Sequence, residues 1–488
     1  MAESTKLQRQ KWNKGLVVIM AAYLLLVCLF HWASGEQLHY RTIEVNSVTP
    51  KDCAGVMEDG YCVQFEIQQE TQLLERISLL IGTYGRENQG SLLLQVFSKE
   101  GTLLGESRLP TAGLEDYVYQ DFLFEVPVEV PEDQILIVKV TAQDVPEGQA
   151  TSLWYGTGID TGKISVPDLN GSTFITDGIQ REGKVCYTSF GRDILWFGAY
   201  YWSIAATLGV TILLYGLWSL KKLSEGRRTL AVRLITLFAQ YSFLVRQLVA
   251  RDFKRKYKRS SLGILWSFLN PLLTMLVQYL VFSTIFKSSI ENFIVYLLIG
   301  IILFNFFGES VGLGLGSIVD NAHLINKVYM PKTIYPLSRV LSSAINLLIS
   351  LVPLAIVMAI TGVSINKTVF LAPIGLVCLL IFCLGMSMML SAAMVFFRDT
   401  FFLWNVVSTL WMYLTPTFYP IDIIPDAWLP IYKLNPMYQY IAFLRSILLD
   451  GTAPAPELYA GCIISAGVMF IVGLVVFRKN QDKFVLYL

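Results

Sequence analysis

Long apolar runs alternate with polar segments and divide the chain into two kinds of sequence. Two runs, Gly15–Trp32 and Leu195–Leu220, flank a central region of different character. Six more runs follow, near Leu262–Phe286, Phe293–Ile318, Leu341–Thr361, Val369–Phe396, Phe401–Leu414 and Leu458–Val476. A bilayer core requires about 20 mostly apolar residues per helix. The pattern therefore predicts an α-helical polytopic membrane protein with eight spans, of which Phe401–Leu414 is short.

The region between the first two runs, residues 36–194, has short segments of alternating apolar and polar residues. "CVQFEIQQE" and "QILIVKVTA" are typical, and Gly, Pro, Asp and Asn separate the segments. Period-two alternation bounded by turn residues predicts β-strands. We expect an inserted all-β sandwich of about eight to ten strands, similar to a jelly roll.

Residues 221–259 form an amphipathic and then strongly basic segment. Its apolar positions fall on one face of a helix, at Leu230, Leu234, Leu237, Phe238, Tyr241, Leu244 and Leu248. This pattern predicts a cytoplasmic helix in the membrane interface, although an amphipathic core helix would have the same pattern.

Residues 415–450 are apolar but contain five prolines. Pro interrupts helices, so a single span is excluded. We expect re-entrant outer helices, which a membrane tolerates only where protein or water satisfies the backbone.

Charge sets the predicted orientation. Only 15% of residues are charged, against about 25% in soluble domains. Residues 36–194 hold 25 Asp and Glu against 11 Lys and Arg, whereas bases cluster at the N-terminus, in 219–262, in 321–339 and at the C-terminus. Because Lys and Arg favour the cytoplasmic side, both termini are predicted to be cytoplasmic and the β domain extracytoplasmic. The first run could also be a cleaved signal peptide, but we favour a retained anchor.

The sequence offers no sign of catalysis. "GTGIDTGKI" has the wrong glycine spacing for a phosphate-binding loop, and no GxSxG or HExxH string is present. We therefore expect neither an enzyme nor a metal site. Cys53 and Cys62 could close a disulfide loop in an oxidising compartment, and unpaired thiols are an equal alternative.

Four strings resemble the permeases of type-2 ABC exporters for surface polysaccharides such as O-antigen, capsule and teichoic acid. They are "RDFKRKYKRSSLGILWSFLNPLLTMLVQYLVFSTIF", "FNFFGESVGLGLGSIVDNAHLINKVYMPKTIYPLSRVLSS", "LSAAMVFFRDT" and "YLTPTFYPIDIIPDAWLPIYKLNPMYQYIAFLRSILL". The resemblance makes 260–488 a six-span permease core. Three preceding segments are additions to the typical permease of this family. They are the cytoplasmic N-terminus with the first span (1–35), the β domain (36–194) and the second span (195–220).

The resemblance implies a homodimer in the bacterial cytoplasmic membrane, with two cytoplasmic ATPase subunits that hold ATP and Mg. The cargo would be a lipid-diphosphate-linked glycan among membrane lipids. An exporter of drugs or small lipids is the main alternative. A membrane-embedded glycosyltransferase or a receptor-like scaffold is a weaker one.

Family roles can be carried onto two polar segments. Residues 321–339 correspond to the coupling helix, where contacts with the ATPase would come from Leu324, Ile325, Lys327, Val328, Tyr329 and Lys332. A solvated loop is the alternative. The basic cluster orients the chain first of all, and could also meet the lipid diphosphate as it enters through Arg251, Lys254, Arg255, Lys258 and Arg259.

Aromatic residues supply the candidates for sugar contact. Along a glycan path they are Trp266, Phe268, Tyr279, Phe282, Trp404, Trp411, Tyr413, Phe418 and Tyr419. In the β domain they are Tyr84, Tyr117, Tyr119, Trp154 and Tyr155. An interfacial aromatic belt or core packing explains any one of them equally well. Glu309, inside a span, is either structural or path-lining.

Overall fold

The computed structural model describes residues 2–487, apart from 47–49, 70, 132–134, 157–172, 226–228, 258–261, 264, 286–291, 326, 328–329 and 426. The chain divides into two compact units. One is helical and comprises Met1–Gly35 with Trp202–Leu488, and the other, Glu36–Tyr201, is built mainly of strands. The predicted fold class, a polytopic helical protein with an all-β insertion, is confirmed.

The strand unit contains two antiparallel sheets in its described residues. The strands are β1 (Tyr40–Asn46), β2 (Asp52–Cys53), β3 (Cys62–Gln68), β4 (Leu73–Gly82), β5 (Ser91–Ser98), β6 (Leu103–Pro110), β7 (Val118–Glu129), β8 (Ile135–Gln143), β9 (Ser152–Gly156), β10 (Thr173–Thr176), β11 (Ile179–Glu182), β12 (Lys184–Val185) and β13 (Tyr187–Ile194). One sheet has the order β1-β13-β4-β9-β12, with β2 paired to β9 and β7 paired to β4. The other has the order β11-β10-β3-β8-β5-β6.

A single apolar core lies between these sheets, since alternate residues of each strand point inward. Val63 and Phe65 of β3 share this core with Ile77 and Leu79 of β4. The sandwich is thus confirmed. It has thirteen strands in the described residues instead of eight to ten. The short strands are β2 and β12, of two residues each, and β10 and β11, of four residues each, and segments this short show no clear alternation.

Cys53 and Cys62 do not form a disulfide with each other. Cys53 lies in β2 and Cys62 in β3, which belong to different sheets. Burial raises the pKa of the Cys186 thiol to about 12, so that thiol stays protonated at neutral pH and is a poor nucleophile.

Helices account for most of the other unit. They are α1 (Ala2–Ser34), α3 (Tyr201–Ser224), α4 (Leu230–Tyr257), α5 (Leu265–Ile285), α6 (Phe293–Gly316), α7 (Ala322–Ile325), α8 (Ile334–Thr361), α9 (Ala372–Phe396), α10 (Thr400–Leu414), α11 (Leu429–Lys433), α12 (Pro436–Leu448), α13 (Pro456–Asn480) and α14 (Phe484–Tyr487); the short α2 (Trp196–Ala199) belongs to the strand unit. Short 3-10 turns lie at Val319–Asn321, Lys367–Leu371, Ile421–Ile423 and Gln481–Lys483.

Seven of the helices in the described residues are long and apolar enough to cross a membrane. The predicted span Phe401–Leu414 corresponds to α10, which has 15 residues and a length of about 22 Å. That is shorter than the roughly 30 Å hydrocarbon core of a bilayer, so α10 alone is too short to cross a membrane. Another boundary also differs, because α8 begins at Ile334 rather than at residue 341.

Small residues allow the central helices to approach closely. A Cβ added at Gly473 of α13 would lie 2.0 Å from the carbonyl oxygen of Gly385 in α9. A Cβ added at Gly314 of α6 would lie 2.3 Å from the Ser387 hydroxyl, also in α9. Helices in membranes commonly pack through such positions, and here they bring α6, α9 and α13 together.

The proline-rich segment after α10 is broken into short pieces, and its re-entrant path stays a prediction. A 3-10 turn at Ile421–Ile423, α11 and α12 follow one another. Asn435 caps α12, its side chain accepting a hydrogen bond from the backbone N–H of Met437 at 3.1 Å.

Candidate functional site

A network of charged side chains joins α4 to the segment between α6 and α8. The guanidinium of Arg251, in α4, donates to Oδ1 of Asp252 at 3.0 Å and to Oδ1 of Asn321 at 3.2 Å. Asn321 belongs to the 3-10 turn that precedes α7. Arg251, predicted to meet a lipid diphosphate, is therefore engaged within the protein.

The same network continues into α8 through two buried charges. Arg339 places one guanidinium nitrogen 3.4 Å from Oδ2 of Asp252 and another 3.3 Å from Oδ2 of Asp320. Arg339 and Asp252 are each only 7% exposed. We call Arg251, Asp252, Asp320, Asn321 and Arg339 the crossing network. Because removing one partner of a buried pair leaves an uncompensated charge, this network fixes three elements relative to one another.

The predicted coupling residues differ in their exposure. Ile325 is buried and Leu324 packs against the same helical core, whereas Lys327 is exposed. The ammonium of Lys332 donates to the backbone carbonyl of Gln481 at 2.5 Å and so ties this segment to the C-terminal turn. Val328 and Tyr329 lie outside the described residues. Of the two apolar residues of this face that the structure describes, Ile325 is thus buried and Leu324 is partly buried.

Glu309, in α6, makes close polar contacts with two other helices. Its Oε1 accepts from Nζ of Lys256 in α4 at 2.8 Å and from Nδ2 of Asn346 in α8 at 2.7 Å. An acid inside an apolar helix requires such partners. These contacts give Glu309 the structural role, since they hold α4, α6 and α8 together.

The other basic residues of α4 are placed differently. Lys254 and Arg255 are exposed at its C-terminal end. Lys258 and Arg259 lie outside the described residues. Two cations, Lys254 and Arg255, are therefore displayed where the sequence predicted a site for an anionic head group.

The nine aromatic residues predicted for a glycan path do not form one continuous surface within the chain. Trp404 and Phe418 are buried, and Trp411 packs edge-on against Phe307 with ring centroids 5.2 Å apart. Phe418 also stacks on Phe282 at 5.7 Å. In contrast, the rings of Trp266 and Tyr413 are exposed, while those of Phe268, Tyr279, Phe282 and Tyr419 are partly buried.

Arg445 of α12 organises the turn after α10, and sequence reasoning did not identify it as important. Its guanidinium donates to the carbonyl oxygens of Pro416 and Thr417 at 2.9 Å each and of Tyr296 at 3.1 Å. It also lies over the Tyr296 ring, 3.3 Å from the centroid. The signal that could have revealed it is a single arginine within the apolar string "IAFLRSILL", because an unpaired charge there is costly.

In the strand unit, four of the five predicted aromatic residues lie close together. Tyr84, Tyr117 and Tyr119 are exposed, and the ring of Tyr117 meets that of Trp154 edge-on at 5.0 Å. Tyr155 is separate, because its ring packs against Phe174 at 4.9 Å next to the sandwich core.

Comparison with known proteins adds independent information. Residues 243–449 match the family model described as ABC-2 type transporter. Over 256 residues the chain is 32% identical to an O-antigen export system permease protein, RfbA, of Myxococcus xanthus; the match covers 52% of this chain and 98% of the relative. A Klebsiella pneumoniae protein of the same name is 30% identical over 236 residues, which are 48% of this chain and 90% of the relative. The family match runs from within α4 to the end of α12. The matches to the two relatives leave about half of this chain unaligned.

Proposed function

Because the chain belongs to the permease family of ABC-2 type transporters, we propose that it is the membrane subunit that exports a lipid-diphosphate-linked polysaccharide. The observation that carries the proposal is the match to a permease named for O-antigen export over 98% of that protein's length. This name favours a glycan cargo over drugs or small lipids. The chain is a multi-pass membrane protein, and we place it in the bacterial cytoplasmic membrane with both termini inside.

Depletion of the chain in its native cell tests this function. We expect the lipid-linked polymer to accumulate on the cytoplasmic side, and the surface polymer to fall, while polymer synthesis continues. Surface polymer can be followed by immunoblotting and the intracellular pool by lipid extraction. Unchanged surface polymer after depletion would falsify the proposed function.

An ABC-2 permease requires an ATPase partner subunit, and the crossing network offers a route from that partner to the membrane. A push on the Val319–Ile325 segment, carrying Asp320 and Asn321, would reach α4 through Arg251 and α8 through Arg339. Arg339 and Asp252 are buried and paired, and separating such a pair is costly, so α4 and α8 should follow this movement together. We therefore assign the 321–339 segment the coupling role, with Lys327 and Lys332 near its exposed part.

Lipid diphosphate is proposed to meet the exposed end of α4. Lys254 and Arg255 are available there, with Lys258 and Arg259 following in sequence. Each Lys or Arg near an anionic membrane surface contributes about 1 kcal/mol to the binding free energy. The diphosphate group would in addition accept charge-assisted hydrogen bonds from these side chains. Arg251 would act by positioning, since its guanidinium already contacts Asp252 and Asn321.

Charge reversal separates substrate binding from orientation. Lys254→Glu with Arg255→Glu should reduce export several-fold, while the Lys221→Glu change near the end of α3 should not. Protease accessibility of both termini serves to verify that topology is preserved. Normal export by the correctly inserted double variant would remove Lys254 and Arg255 from the substrate path.

A second copy of the chain is proposed to complete the path. On α10 an exposed apolar stripe runs through Phe402, Val406, Leu410 and Tyr413, at the spacing of one helical face. A 15-residue helix is too short to span alone and benefits from a protein neighbour.

Exposed Trp266 and Tyr413 could then face a shared conduit, where aromatic rings contact the C–H faces of sugars. The strand unit would receive the polymer outside.

A further inference from the structure

Two tyrosines of the strand unit adopt a backbone conformation that aromatic residues rarely take. Among the described non-glycine residues, five have positive φ: Asp144, Asp177, Asn292, Tyr84 and Tyr117. Asp and Asn tolerate this region through local hydrogen bonds, but bulky residues there are outliers. Tyr84 has φ 59° and Tyr117 has φ 60°. Such strained residues cluster at ligand sites.

These two tyrosines lie on adjacent loops at one end of the β4–β7 pair. The backbone N–H of Thr83 donates to Oδ1 of Asp116 at 2.6 Å. The N–H of Tyr117 donates to the Ile81 carbonyl at 3.0 Å. The loops that hold Tyr84 and Tyr117 are therefore fastened to each other by the residues beside them.

Trp154 of β9 packs edge-on against the ring of Tyr117. Its indole lies on Gly82, where an added Cβ would be 2.9 Å from Nε1, and it packs against Leu80. Tyr119 is the register partner of Leu80, so Tyr119 and Trp154 share the outward face of the sheet. We call Tyr84, Tyr117, Tyr119 and Trp154 the aromatic patch.

The patch is accessible, and in the described part of the chain the cation recorded against its rings is Arg86. Tyr84, Tyr117 and Tyr119 are 47%, 52% and 42% exposed. Arg86 lies 5.3 Å from the Tyr84 ring centroid, and it donates to the Ala150 carbonyl at 3.0 Å. The indole Nε1 of Trp154 is buried and has no hydrogen-bond partner among the described residues.

We propose that the aromatic patch binds a neutral glycan, namely a segment of the exported polymer; this rests on the proposed export function. Rigid Tyr and Trp rings present large amphipathic surfaces, which suit sugars that have C–H faces and hydroxyl edges. Residues 36–194 carry 25 acidic against 11 basic side chains. That excess of negative charge repels polyanions and selects a neutral ligand.

Glycine substitutions test the patch without disturbing the backbone. At Tyr84 and Tyr117, glycine fits the left-handed conformation without a steric penalty, so Tyr84→Gly and Tyr117→Gly should fold. The matched control is Leu123→Ala, because Leu123 is an exposed apolar residue of β7 on the same outward face. Tyr84→Phe retains the ring and should retain most binding.

Binding is measured with the full-length protein in detergent, by retention on immobilised dextran, mannan and galactan, with polygalacturonate as the anionic comparison. We expect at least one neutral polymer to retain the wild type and Leu123→Ala, and each glycine variant to bind at least tenfold more weakly. Polygalacturonate should not retain the protein. The proposal is overturned if no neutral polymer is retained, if the glycine variants bind like wild type, or if polygalacturonate binds equally well.

The outcome is separable from that of the depletion experiment. Loss of retention in the glycine variants reports on the patch, whereas surface polymer in depleted cells reports on export. If depletion abolishes export but the glycine variants bind polysaccharide normally, the glycan-binding role of the patch is wrong and the export function stands.

Discussion

At the scale of single residues, the most consequential side chains are buried charges held by distant partners. The two terminal guanidinium nitrogens of Arg445 donate to carbonyls of Tyr296, Pro416 and Thr417. The sequence marks such a residue as unusual, but it cannot identify the partners, because Tyr296 is 149 positions away. Glu309 shows the same limit: its position in a span was evident, while its contacts with Lys256 and Asn346 were not.

Replacement of Arg445 by lysine should destabilise the turn after α10. A lysine ammonium cannot reproduce the planar fork that reaches three carbonyls. The loss of one or two hydrogen bonds from a charged donor should lower the free energy of unfolding by about 2–4 kcal/mol. The thermal unfolding midpoint of the purified protein should fall, and export should fall with it.

Arg398→Lys is the control for this change, since Arg398 is exposed in the turn that precedes α10. It should unfold like the wild type. If Arg445→Lys were as stable as Arg398→Lys, the carbonyl contacts would not be needed to hold the turn.

At the scale of secondary structure elements, the apolar pattern predicted the long helices well and their junctions poorly. Apolar run length locates a span, but α8 begins at Ile334 because its first turns pack in the protein interior, where Tyr335 is buried. The same burial explains why Ile325, predicted to face an ATPase, is in the core. Junctions depend on tertiary contacts, and the crossing network shows this most clearly.

Substitution of Asp252 by asparagine should uncouple the elements that the crossing network joins. Arg339 would lose its buried counter-charge, and breaking such a pair lowers the free energy of unfolding by about 3–5 kcal/mol. We expect export to fall at least tenfold, whereas ATP hydrolysis by the assembled complex persists. The measurement is transported polymer per ATP hydrolysed.

The matched control is Asp399→Asn, which removes an exposed carboxylate just before α10. This control should leave the amount of polymer transported per ATP hydrolysed unchanged. A normal ratio in Asp252→Asn would show that movement reaches α4 and α8 by another route.

At the scale of the whole molecule, two units of opposite charge character share one chain. The helical unit contains the ABC-2 match at 243–449, and the strand unit Glu36–Tyr201 lies outside it. Period-two alternation was sufficient to predict the sandwich, since it depends on local sequence. The aromatic patch was only partly predictable, because exposed tyrosines were evident whereas the left-handed backbone at Tyr84 and Tyr117 and the packing of Tyr155 were not.

The central claim is that this chain moves a lipid-linked glycan when an ATPase partner hydrolyses ATP. It is tested most directly by reconstituting the chain with its ATPase in liposomes whose lumen contains a glycan-cleaving enzyme, with radiolabelled lipid-linked glycan added outside together with ATP. Complexes inserted with the ATPase outward should deliver the glycan to the lumen and yield ATP-dependent cleavage, and the purified complex should contain two copies of each subunit. Cleavage that proceeds equally without ATP, or is absent while ATP is hydrolysed by wild-type complex, would contradict the account.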